Sequence, residues 1–289
     1  SDLTITVMRD GYAISSKPTR ETNMEQVVRD MVGRSITEYY PGRTNEPGEI
    51  VLEVKNFCQD GLFNNISFKL RKGEILGVAG LMGAGRTEIM RALFGVDSCK
   101  HGEVYLHGKK VCIKKPEDAI KAGIGFITEN RKSEGLILDF SISRNIALPS
   151  VDTFAKRSVI NAKNETAFSE ALSKKLGVKT ASIDLEAGAL SGGNQQKVVI
   201  AKWIGMNPSI IIMDEPTRGI DVGAKRDIYD LMNELTSQGV AIIMVSSELP
   251  EVIGMSDRIL VIHEGKIAGE LDHEEATQEK IITLATGGQ

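Results

Sequence analysis

A glycine-rich turn between a short apolar run and an amphipathic segment constrains this chain more than any other feature. Residues 75–80 are apolar and end in glycine, and apolar residues recur at helical spacing in residues 87–95. The turn, residues 80–87, matches the pattern G-x-x-x-x-G-K-[ST] except that Arg86 stands where lysine is expected. Backbone N–H groups of such a turn surround phosphate, and Thr87 offers a hydroxyl to Mg²⁺. The pattern predicts a phosphate loop; a strand–helix turn without a ligand is the alternative.

Two carboxylates downstream suit the metal that a bound phosphate requires. Residues 210–213 are apolar, and Asp214 and Glu215 follow them directly. Asp214 is placed to hold Mg²⁺ and Glu215 to polarise an attacking water, which is a Walker B arrangement. A polar strand end without chemistry is the alternative.

A second candidate anion site lies between these two motifs, in residues 190–197, here called the signature segment. Ser191 can cap a helix that runs to about residue 204. The two glycines after Ser191 leave the first amides of that helix uncovered, so they can meet a phosphate. A plain capped helix is the alternative.

Strands and helices alternate over much of the chain, which favours a parallel sheet covered by helices on both faces. Residues 141–177 are dominated by helical patterns and predict a separate helical lobe. Outside it, the clearest predicted elements are a helix at 116–122, strands at 123–127 and 209–213, a helix at 224–238 and a strand at 240–245.

An internal echo predicts the domain boundaries. Residues 1–11 resemble residues 256–265, and the glycines that end the two segments lie 254 residues apart. We interpret residues 1–33 as the tail of a preceding copy of the same domain. Residues 34–48, which contain Pro41-Gly42, Asn45 and Pro47-Gly48, are then a linker, and residues 49–289 form the main domain. Chance similarity of two strand–turn units is the alternative.

Residues 80–87, 190–196 and 210–215, in this order and spacing, resemble the ATP-binding domain of an ABC transporter. Four segments more narrowly resemble the second domain of tandem monosaccharide-importer ATPases of the ribose, galactose and xylose type: residues 83–88, 129–136, 191–197 and 246–251. The resemblance implies an α/β P-loop NTPase fold with a mixed sheet core, an antiparallel β subdomain and a helical lobe at about 130–205. It also implies that ATP is sandwiched between two such domains.

The same resemblance assigns roles to individual residues. Asp221 would cross the dimer interface, and Glu129 would occupy the position of a glutamine that senses the γ-phosphate and the membrane subunits. The implied catalytic residues are Glu215, Ser247 and Glu129, and the implied Mg²⁺ ligands are Thr87 and Asp214. The implied ATP-binding residues are Gly80, Gly83, Ala84, Gly85, Arg86, Thr87, Glu88, Ser191, Gly192, Gly193, Gln195 and Asp221.

Four departures from the family pattern predict a weak or non-hydrolytic site at this chain's own phosphate loop. Arg86 places a wide, planar guanidinium where the family pattern has the slimmer ammonium group of lysine. Glu88 and Glu129 add negative charge near the phosphates. Ser247 stands where a histidine usually contacts the γ-phosphate and supports Glu215, so that support is expected to be missing. The intact signature would complete the site of the preceding domain, although full activity remains an alternative because Glu215, Asp214 and Thr87 are present.

The composition of the chain limits which classes of partner we expect it to bind. The net charge of −4 gives no electrostatic reason to expect nucleic acid, and no secretory leader is evident. We therefore expect a cytoplasmic ATPase held at the inner face of the membrane by permease subunits, with a sugar-binding protein acting indirectly. The competing classes are a non-catalytic regulatory nucleotide-binding module and an ABC-type ATPase that acts on nucleic acid or ribosomes.

Phe57 and Phe63 are the candidates for stacking on adenine, and each also fits a core position.

Overall fold

A computed structural model describes residues 3–9, 12–23, 26–27, 30, 40–43, 45–156 and 159–288. Its centre is a six-stranded sheet in the order β14-β13-β5-β12-β11-β8, in which only the edge pair β13 and β14 is antiparallel. The strands are β5 (Ile75–Gly80), β8 (Ile124–Ile127), β11 (Ile210–Asp214), β12 (Ala241–Val245), β13 (Arg258–His263) and β14 (Lys266–Asp272). The inner strands β11 and β12 are buried at every position, as expected for parallel strands covered on both faces.

A four-stranded antiparallel sheet forms the second layer, in the order β4-β3-β6-β7. Its strands are β3 (Ile50–Gln59), β4 (Phe63–Arg71), β6 (His101–Leu106) and β7 (Lys109–Val111). β4 alternates buried and exposed residues along most of its length, so one of its faces closes the core. The predicted mixed core with an antiparallel β subdomain is confirmed.

Helices cover the central sheet and form the predicted lobe. They are α1 (Arg86–Phe94), α2 (Pro116–Lys121), α3 (Ile142–Ala147), α4 (Val151–Phe154), α5 (Ala162–Lys175), α6 (Gly192–Ile204), α7 (Val222–Ser237), α8 (Leu249–Met255) and α9 (Gln278–Ala285). In the lobe, α3 packs on both α5 and α6. A small antiparallel pair, β9 (Ala155–Lys156) and β10 (Val159–Ile160), lies between α4 and α5. A π-helical turn, Arg131–Gly135, and four short 3₁₀ helices, Thr19–Glu21, Leu148–Ser150, Ala187–Ala189 and His273–Glu275, complete the described elements.

The N-terminal hairpin has the same pattern of residue pairing as the hairpin of β13 and β14. β1 (Thr4–Arg9) and β2 (Tyr12–Pro18) form four consecutive pairs, an irregularity after Val7, and two further pairs. β13 and β14 form the same sequence of pairs, with the irregularity after Val261. A 3₁₀ helix follows each hairpin. The sequence echo therefore extends to hydrogen-bond pairing, for the part of the first copy that the structure describes.

Part of the segment interpreted as a linker is docked on the main domain. The Arg43 guanidinium donates to both carboxylate oxygens of Asp257, to Asn233 and Thr236 on α7, and to the carbonyl of Gly73. The Tyr40 ring lies 5.3 Å from that of Tyr229. Residues 34–39 and 44 of this segment lie outside the described residues. Within the described part, residues 40–43 are a strap held by side-chain contacts.

Arg43→Ala is expected to destabilise the protein by about 3 kcal/mol, because it leaves the largely buried Asp257 carboxylate without its cation. Arg43→Lys should lose less, since it keeps the charge but not the planar fork. The measurement is urea unfolding at pH 7.5. Lys100→Ala, which removes an exposed ion pair with Asp60, is the matched control and should change stability by less than about 0.5 kcal/mol. A change of that size in Arg43→Ala would contradict the strap.

Candidate nucleotide site

The phosphate loop joins β5 to α1, and its shape depends on glycine. Gly85 caps α1 with φ at 99°, a left-handed conformation that side chains disfavour. A Cβ there would also approach the Leu62 carbonyl to 3.2 Å. The amides of the first turn of α1 have no acceptor within the helix and are free to meet an anion. The Ala84 amide, in contrast, donates to the Leu81 carbonyl at 3.1 Å, so it is already engaged.

Arg86 reaches across the ends of two neighbouring strands. Its Nη1 donates to the carbonyl oxygen of Ser246 at 2.8 Å, and its Nη2 lies 3.9 Å from Oε1 of Glu215. Both side chains are about one-tenth exposed. In this arrangement the guanidinium acts as the counter-ion of Glu215, and a nucleotide must compete for it.

Asp214, at the end of β11, is a buried carboxylate whose two oxygens both lack a hydrogen-bond partner. Burial raises its pKa to about 6, while the nearby Thr87 hydroxyl opposes the rise without reaching full hydrogen-bond geometry. Arg86 also lowers this pKa, whereas Glu215 and Glu88 raise it. Buried oxygens without donors are costly unless a cation meets them. The pair Asp214 and Thr87 therefore fits Mg²⁺, whose remaining ligands would be phosphates and water.

Glu215 adopts a left-handed backbone conformation, with φ at 48°, which is uncommon for a residue other than glycine. Its amide donates to the Val245 carbonyl at 2.8 Å, and the Ser247 hydroxyl donates to its Oε2 at 3.2 Å. Burial raises the pKa of Glu215, while Ser247 and Arg86 lower it. The expectation that Ser247 leaves Glu215 unsupported is wrong, because the shorter hydroxyl side chain still reaches the carboxylate.

Sequence reasoning missed a buried carboxylate behind this pair. Glu251 on α8 is 1% exposed and accepts hydrogen bonds from the hydroxyls of Thr217, at 2.6 Å, and Ser246. Thr217 lies two residues after Glu215, and Ser246 directly precedes Ser247. Both segments that form the Glu215–Ser247 contact are therefore anchored to one side chain. No spacing in the sequence indicates this contact.

The signature segment begins α6 at the predicted place, with Ser191 as its N-cap. The Ser191 hydroxyl makes no capping bond, contrary to expectation, and instead accepts from the Asn194 amide at 3.0 Å. Asn194 also accepts from the amide of Lys179 at 2.8 Å. The serine hydroxyl hydrogen is consequently available to a ligand.

The side chain of Gln195 does not face the start of the signature segment at Ser191. It is buried, and its side-chain amide donates to the Ala187 carbonyl at 3.3 Å. The assignment of Gln195 as an ATP contact is therefore wrong, and Asn194 holds the outward position.

Asp221 lies beside the signature segment and caps α7, accepting from the Ala224 amide at 2.9 Å. A cavity of about 430 Å³ contains Asp221, Ser191, Gly193 and Lys179 in its lining. Asp221 is thus brought together with Ser191 and Gly193. Arg86, Thr87, Asp214, Glu215 and Ser247 form the other group, at the carboxyl ends of β11 and β12.

Glu129 is exposed just after β8 and forms an ion pair with Arg218. Both line a cavity of about 530 Å³ together with Arg131 and Glu134. Its ion-pair partner is outside the Asp214 group. Glu129 is therefore positioned beside the segment that follows Glu215, with no described contact to Glu215.

Neither aromatic candidate for adenine is accessible. Phe57 and Phe63 are 4% and 3% exposed, and their rings stack on each other with centroids 5.5 Å apart. Both residues belong to the core of the antiparallel layer.

Comparison with known proteins identifies the family that these motifs belong to. The family model described as "ABC transporter" matches residues 63–218, more than half of the chain. The chain belongs to the ABC transporter family. Its fold is that of the ATP-binding cassette: the ADP conformation of one such cassette superposes with a TM-score of 0.70 at 23% identity, covering 83% of this chain and 99% of that one. A dimeric post-hydrolysis cassette bound to ADP and Pi gives a TM-score of 0.65 at 22% identity, covering 77% and 98%.

Curated relatives are much more similar in sequence. The ribose import ATP-binding protein RbsA of Oceanobacillus iheyensis is 62% identical over 98% of this chain. The protein of the same name from Bacillus subtilis is 61% identical over 99%. The chain spans only 57% and 58% of the lengths of these two relatives. Within the described residues, no helix combines the length and apolar character needed to cross a membrane.

Proposed function

We propose that this chain is the second ATP-binding cassette of a tandem ribose-import ATPase. The observation that carries the proposal is the identity of 62% to a ribose import ATP-binding protein over 98% of this chain. The chain matches only 57% of that relative, which leaves room for another cassette. The shared register of the N-terminal hairpin and the hairpin of β13 and β14 supports residues 1–33 as the tail of that cassette.

The cassette would couple ATP to sugar uptake through permease subunits at the cytoplasmic face of the membrane. An exposed groove beside Glu129 supports a permease contact there. A sugar-binding protein outside the membrane would act only through those subunits. The dimeric cassette bound to ADP and Pi is a precedent for pairing, in which the phosphate loop of one cassette would face the signature segment of the other.

We further propose that the chain's own phosphate loop is weakly hydrolytic. Arg86 is engaged with the Ser246 carbonyl and with Glu215, so phosphate binding must displace contacts that already neutralise the guanidinium. Thr87 and Asp214 would hold Mg²⁺, which would supply charge neutralisation at the β- and γ-phosphates. Glu215, oriented by Ser247, would position water. The Ser191 hydroxyl hydrogen is available at the start of the signature segment, and Ser191 and Gly193 would serve the site of the preceding cassette.

The same contacts of Arg86 favour a second candidate, a regulatory cassette that holds nucleotide without turnover. Titration of Mg-ATP into the purified chain in a calorimeter separates a site that holds nucleotide from one that hydrolyses it, because binding gives saturating heat and hydrolysis gives continuous heat. We expect saturating heat without turnover. Arg86→Lys should bind Mg-ATP more tightly, because the lysine ammonium pairs less strongly with Glu215 and is more easily released to the phosphates. Sustained turnover that disappears in Glu215→Gln would contradict the weak-site proposal. Absence of any binding heat would contradict nucleotide binding by the chain alone.

A further inference from the structure

Arg131 lies where three functional segments meet. Its Nη1 donates to the carbonyl of Arg218 at 2.7 Å, and its Nη2 donates to that of Gly219 at 3.1 Å. A Cβ on Gly192, the first residue of α6, would approach Nη2 to 2.7 Å. One guanidinium therefore touches the segment after Glu215 and the start of the signature helix, from a turn that begins two residues after Glu129.

The charge of Arg131 has no carboxylate partner within ion-pair distance among the described residues. Its two acceptors are neutral carbonyls, and its buried Nε has no hydrogen-bond partner. Burial lowers the pKa of Arg131 below its ordinary value. A cation beside a helix N-terminus is also unfavourable, because the helix dipole is positive there. An anion at this place would relieve both penalties.

A second cation fixes the other end of the same turn. Lys202 on α6 donates to the Gly135 carbonyl at 2.7 Å, and burial lowers its pKa to about 8. The turn Arg131–Gly135 is consequently tied to α6 through Gly135 and packed against it through Arg131. It is also tied to Arg218 and Gly219. These contacts join the turn to the signature helix and to the segment that follows Glu215.

We propose that Arg131 is a positioning residue of the signature half-site: it holds residues 218–219 against Gly192 and adds positive charge where α6 presents its amides to a phosphate. The inference rests on the proposed function, because that phosphate belongs to a nucleotide held by the facing cassette. Arg131 acts through the helix start and the following segment, without a required contact to the nucleotide.

The test measures KM for ATP and kcat in the complete protein with its permease. Arg131→Gln removes the charge and the fork, and should raise KM about tenfold and lower kcat. Arg131→Lys keeps the charge and loses the two-carbonyl bridge, so it should keep KM within about threefold while lowering kcat. Lys109→Gln is the matched control: this cation on β7 is exposed and does not line the cavity beside Glu129, so its removal should leave both constants unchanged. Thermal unfolding of each variant accompanies the kinetics.

Ser191→Arg in the same assay separates failure of this inference from failure of the proposed function. If Ser191→Arg is inactive while Arg131→Gln matches the unsubstituted protein, the inference is wrong and the proposed function stands. Equal losses in Arg131→Gln and Lys109→Gln would also overturn it, because surface charge alone would then explain the effect. If Ser191→Arg retains full activity, the signature is not used and both proposals fail. The proposal is supported if Arg131→Lys keeps KM for ATP while Arg131→Gln raises it. A purely structural defect would change KM and kcat together in both variants.

Discussion

Ser191→Arg in the complete protein is expected to lower ATP turnover by about 10²–10³-fold, the usual effect of removing one transition-state contact. The Ser191 hydroxyl is free of capping bonds and opens into the cavity shared with Asp221. An arginine there would fill the mouth that the facing nucleotide needs. Labelled ribose uptake should fall to background with turnover, which also tests the proposed sugar.

The control for this experiment compares two sites: the chain's own phosphate-loop site, proposed to be weak, and the site of the preceding cassette that the signature segment would complete. Glu215→Gln removes the carboxylate of the chain's own site and should reduce total turnover by less than about tenfold if that site is weak. Ser237→Arg places the same new charge at the exposed end of α7 and should have no effect. If Glu215→Gln is as damaging as Ser191→Arg, the site at Arg86 is a working one.

The sequence is most informative where chemistry depends on contiguous residues. The phosphate loop, the carboxylates after β11 and the start of α6 lie where the sequence predicts them, because glycine spacing, apolar runs and helix starts are local properties. Predicted elements also agree closely: the helix expected at 224–238 is Val222–Ser237, and the strand expected at 240–245 is Ala241–Val245.

Contacts between distant segments could not be predicted in this way. Arg43 meets Asp257 across 214 residues, and Arg131 meets Arg218 across 87. Such pairs depend on the register of strands and on how helices pack, which residue spacing does not encode. Ser247 shows the same limit, since it meets Glu215 across 32 residues and Glu215 has a left-handed backbone that its sequence does not predict.

The helical period does not separate Gln195 from Asn194. Each residue lies three and four positions before buried residues of α6, which is buried at every position from 195 to 203. The hydrogen bond from the Gln195 side chain to the Ala187 carbonyl distinguishes Gln195, and this contact depends on how α6 packs.

Asp214→Asn is expected to stabilise the metal-free protein by about 1–3 kcal/mol at pH 7.5. The pKa of Asp214 is raised from 3.8 to about 6 in the folded protein, so the folded state binds this proton more tightly than the unfolded state. That stabilising contribution is full below pH 3.8 and is lost as pH rises through about 6. Above pH 6 the buried charge is a penalty, which asparagine removes. Urea unfolding at several pH values should show the advantage of the variant shrinking as pH falls toward 4.

The same substitution should weaken Mg-ATP binding at least tenfold, because asparagine gives Mg²⁺ a neutral oxygen in place of a carboxylate. Bound Mg-ATP should therefore stabilise the unsubstituted protein more than the variant and reverse their order. Asp139→Asn, at an exposed position, should change neither property. An Asp214→Asn variant that is less stable than the unsubstituted protein without metal would show that the Asp214 carboxylate is satisfied within the protein. A cassette that carries an unsatisfied carboxylate at its centre is less stable until its ligand arrives, which makes its stability depend on nucleotide and Mg²⁺.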